Sequence, residues 1–373
     1  MKTAIVHEWL VNYAGSERCV ESFTNIWKDS PVFSLVDFLN EEERRIILKG
    51  KKANTSFIQN LPFAKKHHRK YLSLFPLAIE QFDLNEYDVI ISSSHAVAKG
   101  VLTNASQLHI CYCYTPMRYA WDLYHRYLIE AGLLHGVKGY IAKNMLHKLR
   151  IWDVIASNRA DYFIAISSHI AKRINKTYNR EASVIYPPVD VNLFGTIPVK
   201  ENFYLTASRM VPYKRMDIIV EAFSAMPDKK LVVIGDGPEM EKIKSKASKN
   251  IEIIGYQSFE VLKSYMQRAK AFLFAAEEDF GIIVVEAMAC GTPVIAFNKG
   301  GASETVIDME SGIFFDEQST ASIKEAVLKF ESVRDKFDPT VIRNYSLQFS
   351  RDIFEEKIKM FVNEKSSEFF RGK

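Results

Sequence analysis

Several features that would put this 373-residue chain into a special class are missing from its sequence. No apolar run approaches the roughly 18 residues that a membrane-spanning helix needs, and no repeat of solenoid length occurs. The four cysteines have no second Cys or His pair at zinc spacing, so we expect core thiols rather than a metal site or disulfides. No Asp-x-Asp pair occurs, which disfavours a divalent cation chelated by paired carboxylates.

What is present is the composition of an ordinary globular protein, with 47% hydrophobic and 25% charged residues. The length is too great for one ordinary core and favours two domains. The stretch MKTAIVHEWL is typical of a core strand and has no signal-peptide cleavage site, so we expect a cytoplasmic protein. The net charge of +4 is modest, and we expect no nucleic-acid partner.

The charge is unevenly distributed. Residues 1–187 carry 24 Lys and Arg against 17 Asp and Glu, whereas the remainder carries 25 against 28. The basic part contains the cluster Lys65-Lys66-His67-His68-Arg69-Lys70. One interpretation is a solvated loop or helix face. The other is contact with an anionic surface or an anionic lipid-linked substrate, at the inner face of the cell membrane.

Strand-like and helix-like segments alternate through almost the whole chain, which predicts an α/β fold of parallel sheets with crossover helices. The segment Tyr186-Pro187-Pro188-Val189-Asp190 interrupts this alternation, and its two prolines favour a stiff interdomain linker. The predicted strands are Thr3 to His7, Asp88 to Ser92, Leu108 to Cys113, Tyr162 to Ile166, Phe203 to Ala207, Leu231 to Ile234, Ile251 to Ile254, Ala271 to Phe274, Val294 to Phe297 and Ile313 to Phe315.

Three clusters in the second half follow predicted strands, at the sheet edge where doubly wound sheets bind ligands. Arg209 and Lys214 would neutralise a diphosphate there, although two exposed helix cations would have the same spacing. The segment Gly235-Asp236-Gly237-Pro238 allows close backbone approach to a flat ligand, or is simply a tight turn. Tyr256 follows the third strand, where it could border a nucleobase.

The stretch from Glu277 to Pro293 combines a buried strand end, a turn and an apolar helix with two glutamates. The helix N-terminus leaves backbone N–H groups without intrahelical partners, directed to where a phosphate could bind. Glu286 lies about one and a half turns into the helix, between apolar neighbours, where an unpaired carboxylate would be costly to bury. We therefore expect a polar group to meet it, whereas an isolated pair of such glutamates would most often be solvated.

The segment from Glu278 to Glu286 resembles the Glu, seven residues, Glu motif of the retaining glycosyltransferases of family 4, which have the GT-B fold. This resemblance implies two Rossmann-like doubly wound domains facing a central cleft. Residues 1–186 plus about 347–373, a returning helix, would bind the acceptor, and residues 187–346 would bind a nucleotide-sugar donor. The similarity also covers Ala287 to Ala296, Gly300-Gly301, Arg209 with Lys214, Gly235 to Pro238 and the linker.

The resemblance implies specific roles on the donor side. Glu286 would bind the ribose hydroxyls, Glu278 would contact the transferred sugar, and no metal or other cofactor would be needed. The loop Gly15-Ser16-Glu17 resembles the family's Gly-Gly-x-Glu loop, with Ala14 in the place of the first glycine. The catalytic residues would be His95, Arg209, Lys214 and Glu278. The donor-binding residues would be Gly15, Arg209, Lys214, Gly235, Gly237, Tyr256, Phe280, Gly281, Ile282, Ile283 and Glu286.

On the acceptor side, His95 stands where the family carries a His near the reacting sugar carbon, with a capping or core histidine as the alternative. The segment from Tyr112 to Asp122 resembles a signature of bacterial surface-polysaccharide mannosyltransferases, in which a His commonly takes the place of Tyr114. Its aromatic rings would form a platform for acceptor sugars, or else pack within a loop. The expected acceptor-binding residues are Tyr114, Arg118, Tyr119, Trp121 and Asp122.

This resemblance implies transfer of a hexose from a nucleotide diphosphate to a saccharide hydroxyl with retention of configuration. The Tyr-Thr-Pro-Met-Arg-Tyr signature favours GDP-mannose as donor, and a lipid-linked saccharide of O-antigen or capsule type is the expected acceptor. The alternatives are a transferase for a UDP-sugar or another GDP-sugar, a non-hydrolysing nucleotide-sugar epimerase, and a non-catalytic nucleotide-sugar binding protein.

Overall fold

The computed structural model describes residues 1–197 and 199–371. The chain divides into two compact units, the first made of residues 1–188 and 354–373 and the second of residues 189–353. The division thus falls after residue 188 rather than 186, and the return to the first unit begins at residue 354 rather than at about 347. Each unit contains one sheet in which every pairing is parallel.

The sheet of the first unit has seven strands in the order β3-β2-β1-β4-β5-β6-β7. Its central strands are buried along their whole length, as in other all-parallel sheets whose two faces are covered by helices. The strands are β1 Thr3–His7, β2 Val32–Ser34, β3 Asn54–Thr55, β4 Val89–Ser94, β5 Leu108–Cys113, β6 Tyr162–Ala165 and β7 Ala182–Val184. The helices are α1 Gly15–Ile26, α2 Glu41–Ile47, α3 Ala64–His67, α4 Phe75–Glu80, α5 Tyr124–Glu130, α6 Gly136–Ser157 and α7 Ser168–Tyr178.

The sheet of the second unit has six strands in the order β10-β9-β8-β11-β12-β13. The strands are β8 Tyr204–Ala207, β9 Leu231–Ile234, β10 Ile251–Gly255, β11 Ala271–Phe274, β12 Val294–Phe297 and β13 Gly312–Phe315. The helices are α8 Met216–Ser224, α9 Met240–Lys246, α10 Phe259–Arg268, α11 Ile282–Ala289, α12 Ala302–Thr305, α13 Thr320–Val333 and α14 Pro339–Ser346. The predicted pair of doubly wound, Rossmann-like α/β domains is therefore confirmed.

The last helix, α15 (Arg351–Arg371), attaches to the first unit over most of its length. The ring of Phe354 lies 5.9 Å from that of Phe23 on α1 and 5.5 Å from that of Tyr112 on β5. The amide of Asn25 donates to the carboxylate of Glu355 at 2.7 Å. An apolar contact and a polar one thus both fasten this helix.

The chain enters and leaves the second unit at one place. The backbone N–H of Val189 donates to the carbonyl of Phe349 at 2.9 Å, and Val189 also forms an isolated parallel bridge with Ser350. The guanidinium of Arg351 donates to both carboxylate oxygens of Asp190, at 2.8 and 3.1 Å. The two ends of this unit are therefore held side by side.

In each sheet, strand order reverses at one position, between β1 and β4 in the first unit and between β8 and β11 in the second. The crossover helices of the two halves diverge there, which leaves a crevice at the carboxyl ends of the strands. The segments that follow β1, β4, β8 and β11 are therefore the places to look for functional groups.

Candidate functional site

In the second unit, the segments after β8 and β11 bring two predicted residues together. The ammonium group of Lys214, in the 3-10 turn Pro212–Lys214, forms an ion pair with the carboxylate of Glu278. Both side chains are mostly buried, which strengthens the attraction by limiting solvent screening. Arg209 lies exposed at the end of β8. This edge therefore presents two cations and a carboxylate.

Helix α11 begins directly after this carboxylate. Its N-terminal flanking residue, Gly281, has φ of 84°, a left-handed conformation that glycine adopts without strain. Phe280 is buried against Phe349, while Ile282 and Ile283 are partly exposed in the first turn. Glu286 is only 9% exposed on the same helix. The turn thus presents helix N–H groups and a nearly buried carboxylate on one short segment.

Three glycines allow the close backbone contacts that hold these loops in place. Gly235 and Gly237 follow β9 with φ of 136° and 153°, and a Cβ on either would overlap a backbone carbonyl of the loop that follows β8. The backbone N–H of Gly301 donates to the carbonyl of Glu278 at 2.7 Å, and a Cβ there would overlap Phe280. Substituting these glycines would therefore displace Arg209 or Glu278.

Tyr256 follows β10 and is 81% exposed.

In the first unit, a carboxylate that was not predicted from the sequence holds the segment after β4. Glu8 follows β1 directly and is fully buried. It accepts the backbone N–H groups of His95, Ala96, Val97 and Ala98 at 2.8 to 3.0 Å, and the Ser94 hydroxyl at 3.1 Å. A carboxylate directly after a core strand was the only signal for it in the sequence.

Burial raises the pKa of Glu8, but the nearby His95 and the backbone hydrogen bonds outweigh it, so that the pKa falls below its usual value. Burial also lowers the pKa of His95, against the opposing effect of Glu8. The imidazole of His95 is therefore neutral at pH 7, and can accept a proton or a hydrogen bond. Its ring lies 4.6 Å from that of Trp9, edge to face.

Gly15 and Glu17 lie in the first turn of α1, beside β1 and β4. Nε2 of His7 lies 3.6 Å from Oε1 of Glu17, and Nδ1 of His7 lies 3.0 Å from Oγ of Ser93. Burial raises the pKa of the Glu17 carboxyl, but the nearby His7 and the hydrogen bond from the Ser16 hydroxyl together outweigh burial, so that this pKa falls below its usual value. A chain of buried polar contacts thus joins the loop at Gly15 to the ends of both strands.

The predicted acceptor residues divide into two groups. The hydroxyl of Tyr114 donates to the carbonyl of Ser16 at 3.1 Å, the indole N–H of Trp121 donates to Asp153 at 2.8 Å, and Asp122 pairs with Arg173 at 2.7 Å. These three residues already have partners within the first unit. Arg118 and Tyr119 line a cavity together with His95.

A second buried charge, also missed from the sequence, lies at the other end of the His95 segment. The ammonium of Lys99 contacts Oδ1 of Asp153 at 2.5 Å and donates to the carbonyl of Ala96 at 2.7 Å, with both charged side chains almost fully buried. Asp153 also accepts the Tyr178 hydroxyl at 2.8 Å. Glu8 and Lys99 therefore fix the segment from both ends.

All four cysteines, Cys19, Cys111, Cys113 and Cys290, are buried free thiols. Within residues 1–197 and 199–371, no group of three or more His, Cys, Asp or Glu side chains is arranged to hold a metal ion. In the same parts of the chain, none of the helices has the length and apolar character needed to cross a membrane.

The family model and the relatives that this chain resembles are all described as glycosyltransferases or mannosyltransferases. Residues 194–344 match the family model described as glycosyl transferases group 1. An uncharacterized glycosyltransferase of Methanocaldococcus jannaschii is 31% identical over 234 residues, which cover 61% of this chain and 65% of the relative. A GDP-mannose-dependent alpha-(1-6)-phosphatidylinositol monomannoside mannosyltransferase of Mycolicibacterium smegmatis is 28% identical over 202 residues, covering 46% of this chain and 53% of the relative. The chain thus spans between about half and two thirds of these relatives.

Among solved structures, Anabaena Alr3699/HepE in complex with UDP is similar with a TM-score of 0.71 and 18% identity, covering 98% of this chain and all of that one. The lipopolysaccharide outer core galactosyltransferase WaaB, in its apo form, gives a TM-score of 0.69 at 17% identity and the same coverage. At such identities the likeness shows the fold, which is GT-B.

Proposed function

We propose that this chain is a retaining glycosyltransferase of the glycosyl transferases group 1 family, whose model matches residues 194–344, and that it uses GDP-mannose as donor. In this proposal it is an α-mannosyltransferase that extends a lipid-linked surface saccharide of O-antigen or capsule type. The second unit binds the donor and the first unit binds the acceptor.

The observation that carries this proposal is the ion pair of Lys214 with Glu278 just before α11, together with the nearly buried Glu286 on that helix. Glu286 binds the ribose hydroxyls, because a nearly buried carboxylate suits two hydroxyl donors. Arg209, Lys214 and the N–H groups near Ile282 and Ile283 bind the diphosphate. These roles follow the family resemblance, and the positions of the side chains are consistent with them.

Catalysis then consists mainly in stabilising the departing nucleoside diphosphate. The acceptor hydroxyl attacks the anomeric carbon on the face from which the phosphate leaves, and its proton passes to a phosphate oxygen. The new C–O bond forms as the bond from the anomeric carbon to the phosphate oxygen breaks. The positive charges of Arg209 and Lys214 stabilise the negative charge that develops on the leaving diphosphate. Lys214 can turn from Glu278 towards the diphosphate when the donor binds.

Because a guanidinium and an ammonium group supply the positive charge that a metal ion would otherwise provide, we propose that transfer needs no metal or other cofactor. Activity should accordingly persist at full rate in excess EDTA. Loss of activity in EDTA that added Mg²⁺ or Mn²⁺ restores would contradict this part of the proposal.

The choice of GDP-mannose rests on the resemblance of the segment from Tyr112 to Asp122 to mannosyltransferases. It is supported by the similarity to the GDP-mannose-dependent enzyme of Mycolicibacterium smegmatis. The nearest rival is a UDP-sugar, since HepE, a structural neighbour, was solved with UDP.

We further propose that the first unit contacts the inner face of the cell membrane from the cytoplasm. The cluster Lys65 to Lys70 is exposed apart from His68, and the neighbouring Phe63 is 79% exposed. Helix α6 adds an exposed stripe at helical spacing, with Val137, Ile141, Ile151 and Ile155. Exposed apolar side chains beside cations are typical of surfaces that bind anionic lipid headgroups. Co-sedimentation with phosphatidylglycerol vesicles, absent with phosphatidylcholine, is the expected result.

The test of the donor is a panel of GDP- and UDP-sugars incubated with the protein. We expect GDP-mannose to give the strongest saturation-transfer signal and slow hydrolysis. Binding of UDP-sugars alone would overturn the donor choice and leave the fold untouched. Interconversion of the free nucleotide sugar without acceptor would indicate an epimerase, and tight binding with no turnover under any condition would indicate a binding protein.

A further inference from the structure

A cavity of about 450 Å³ lies in the first unit beside His95. It is lined by Trp9, which follows Glu8, by the region around α4, by the segment after β5, and by helices α5 and α6. Its volume is within the range of cavities that bind small organic ligands. Most of its wall is aliphatic or aromatic carbon, contributed by Leu72, Phe75, Leu128, Leu133, Met145 and Leu146.

This wall is unsuited to a sugar ring. A buried hexose needs hydrogen-bond partners for each hydroxyl, because burying a hydroxyl without a partner costs roughly 1–3 kcal/mol in proteins. Helices α5 and α6 present only apolar side chains and the phenol of Tyr127 to the cavity. An aliphatic chain, by contrast, gains free energy with every methylene removed from water.

The polar groups of the cavity are gathered elsewhere on its lining and are cationic or neutral. The guanidinium of Arg69 lies over the ring of Trp9 at 5.3 Å, and Arg118, Thr115 and His95 complete this set. No Asp or Glu belongs to the lining residues that the structure describes. Within the same described residues, no carboxylate pairs with Arg69. The guanidinium of Arg69, in a lining that contributes no carboxylate of its own, favours a phosphate group.

We propose that this cavity binds the aliphatic chain of a phosphate-bearing lipid acceptor, with the phosphate at Arg69 and Arg118 and the accepting hydroxyl at His95. This inference rests on the proposed transferase function and makes its acceptor more specific. Because His95 and both guanidinium groups line one cavity, only a short saccharide fits between the phosphate and the reacting hydroxyl. The enzyme therefore acts near the lipid end of the growing chain, and a long polysaccharide without lipid is a poor acceptor.

A binding experiment without any donor tests the cavity directly. Isothermal titration with dodecyl phosphate, below its micelle concentration, should give saturable binding. Inorganic phosphate and dodecyl glucoside should each bind at least about tenfold more weakly, because each lacks one half of the recognised structure. Equal binding of dodecyl phosphate and dodecyl glucoside would overturn the role of the arginines, and no binding of dodecyl phosphate would overturn the proposal.

Variants then locate the binding. Ala142 lines the cavity from α6 and is partly exposed, so Ala142→Phe should fill the cavity without disturbing the core. We expect this substitution to weaken dodecyl phosphate binding about tenfold or more. The matched control is His147→Phe, at an exposed position of the same helix and outside the cavity, which should bind as the parent does. Equal loss in both variants, or in neither, would contradict the assignment.

Transfer assays complete the test. A monosaccharide diphosphate carrying a 12-carbon chain should have a KM at least about tenfold below that of the same compound with a two-carbon chain, and Ala142→Phe should remove this difference. If donor hydrolysis and transfer persist but chain length has no effect, this inference fails while the proposed function stands. If no nucleotide sugar is turned over by the parent protein, the proposed function itself fails.

Discussion

The carboxylate of Glu8 accepts the backbone N–H of His95 at 3.0 Å, together with the next three N–H groups along the chain. Four donors converge on one buried anion, and each hydrogen bond to a charged group contributes about 1.5–3 kcal/mol. The position of the His95 backbone is therefore determined by Glu8, which directly follows the neighbouring strand β1. Glu8 is a positioning residue for the proposed acceptor site.

Replacing Glu8 with Gln should lower kcat about tenfold and leave the KM for the donor unchanged, because the amide nitrogen presents hydrogens to backbone N–H groups. Stability should fall by about 1–3 kcal/mol, measured by urea unfolding. The matched control, Glu130→Gln, removes an exposed carboxylate of the same unit and should change neither quantity. A variant with full kcat would show that His95 needs no such support.

Because of the Glu8 carboxylate, we expect the free energy of unfolding to depend on pH in the acid range. The pKa of Glu8 in the folded protein lies below its ordinary value of 4.5, so the folded state favours the ionised form. This contribution is fully present above about pH 4.5 and is lost as the pH falls through the lower folded pKa. Below pH 4.5 the parent should lose stability more steeply than Glu8→Gln, in urea unfolding followed at several pH values. Parallel pH profiles would contradict the ionised state of Glu8.

The two glutamates of the second unit should respond differently to truncation. Glu286→Ala should weaken GDP binding about 10- to 100-fold, as expected for loss of a charged acceptor to ribose hydroxyls. Glu278→Ala releases the ammonium of Lys214, so GDP binding should be retained or strengthened while kcat falls. Titration calorimetry with GDP and transfer kinetics measure the two effects. Glu325→Ala, an exposed residue on α13, is the control, and parent-like kinetics in both site variants would disprove the assignment.

The architecture was largely predictable because buried parallel strands give continuous apolar runs. Five of the ten predicted strands, such as Leu108 to Cys113, have the observed bounds, and four differ by one residue at one end. The strand predicted from Asp88 to Ser92 runs from Val89 to Ser94. Strands β2, β3 and β7 were not predicted, since two or three residues are too few to give a period. Their existence depends on pairing with neighbours that are distant in sequence.

The candidate site was predictable only where a local motif marked it. The ion pair between Lys214 and Glu278 joins loops that are far apart in the sequence, and no spacing rule connects them. Trp121 was predicted either to form a platform for acceptor sugars or to pack within a loop, and in the structure its indole N–H donates to the buried Asp153. Glu8 was missed because a carboxylate that binds backbone N–H groups leaves no pattern of side chains in the sequence.

The buried pair of Lys99 and Asp153 should be expensive to break. Lys99→Met leaves a buried carboxylate without its counter-ion and should cost about 3–5 kcal/mol of stability. Adding Asp153→Asn should recover part of this loss, because the neutral amide still accepts from Trp121 and Tyr178. Urea unfolding of the two single variants and the double variant measures the coupling. Additive losses would show that the pair has no favourable interaction.

The four thiols should be inert in the folded protein. Burial raises the pKa of Cys113 well above its ordinary value and that of Cys290 to about 12, so little thiolate exists at pH 8. A disulfide reagent that reports free thiols should detect none within minutes in buffer and all four in 8 M urea, a number set by the sequence. Rapid reaction of any thiol in the native protein would contradict this expectation.

The chain enters and leaves the second unit at neighbouring positions, and this has a consequence for how proteins with this arrangement can diversify. Since Val189 pairs with Ser350 and Asp190 binds Arg351, residues 189–353 form an insertion whose ends already meet. A single recombination event with both breakpoints at this place would exchange the entire unit and leave the chain of the first unit continuous. New combinations of the two units can therefore arise by exchange of a whole unit, without gradual change in either sheet.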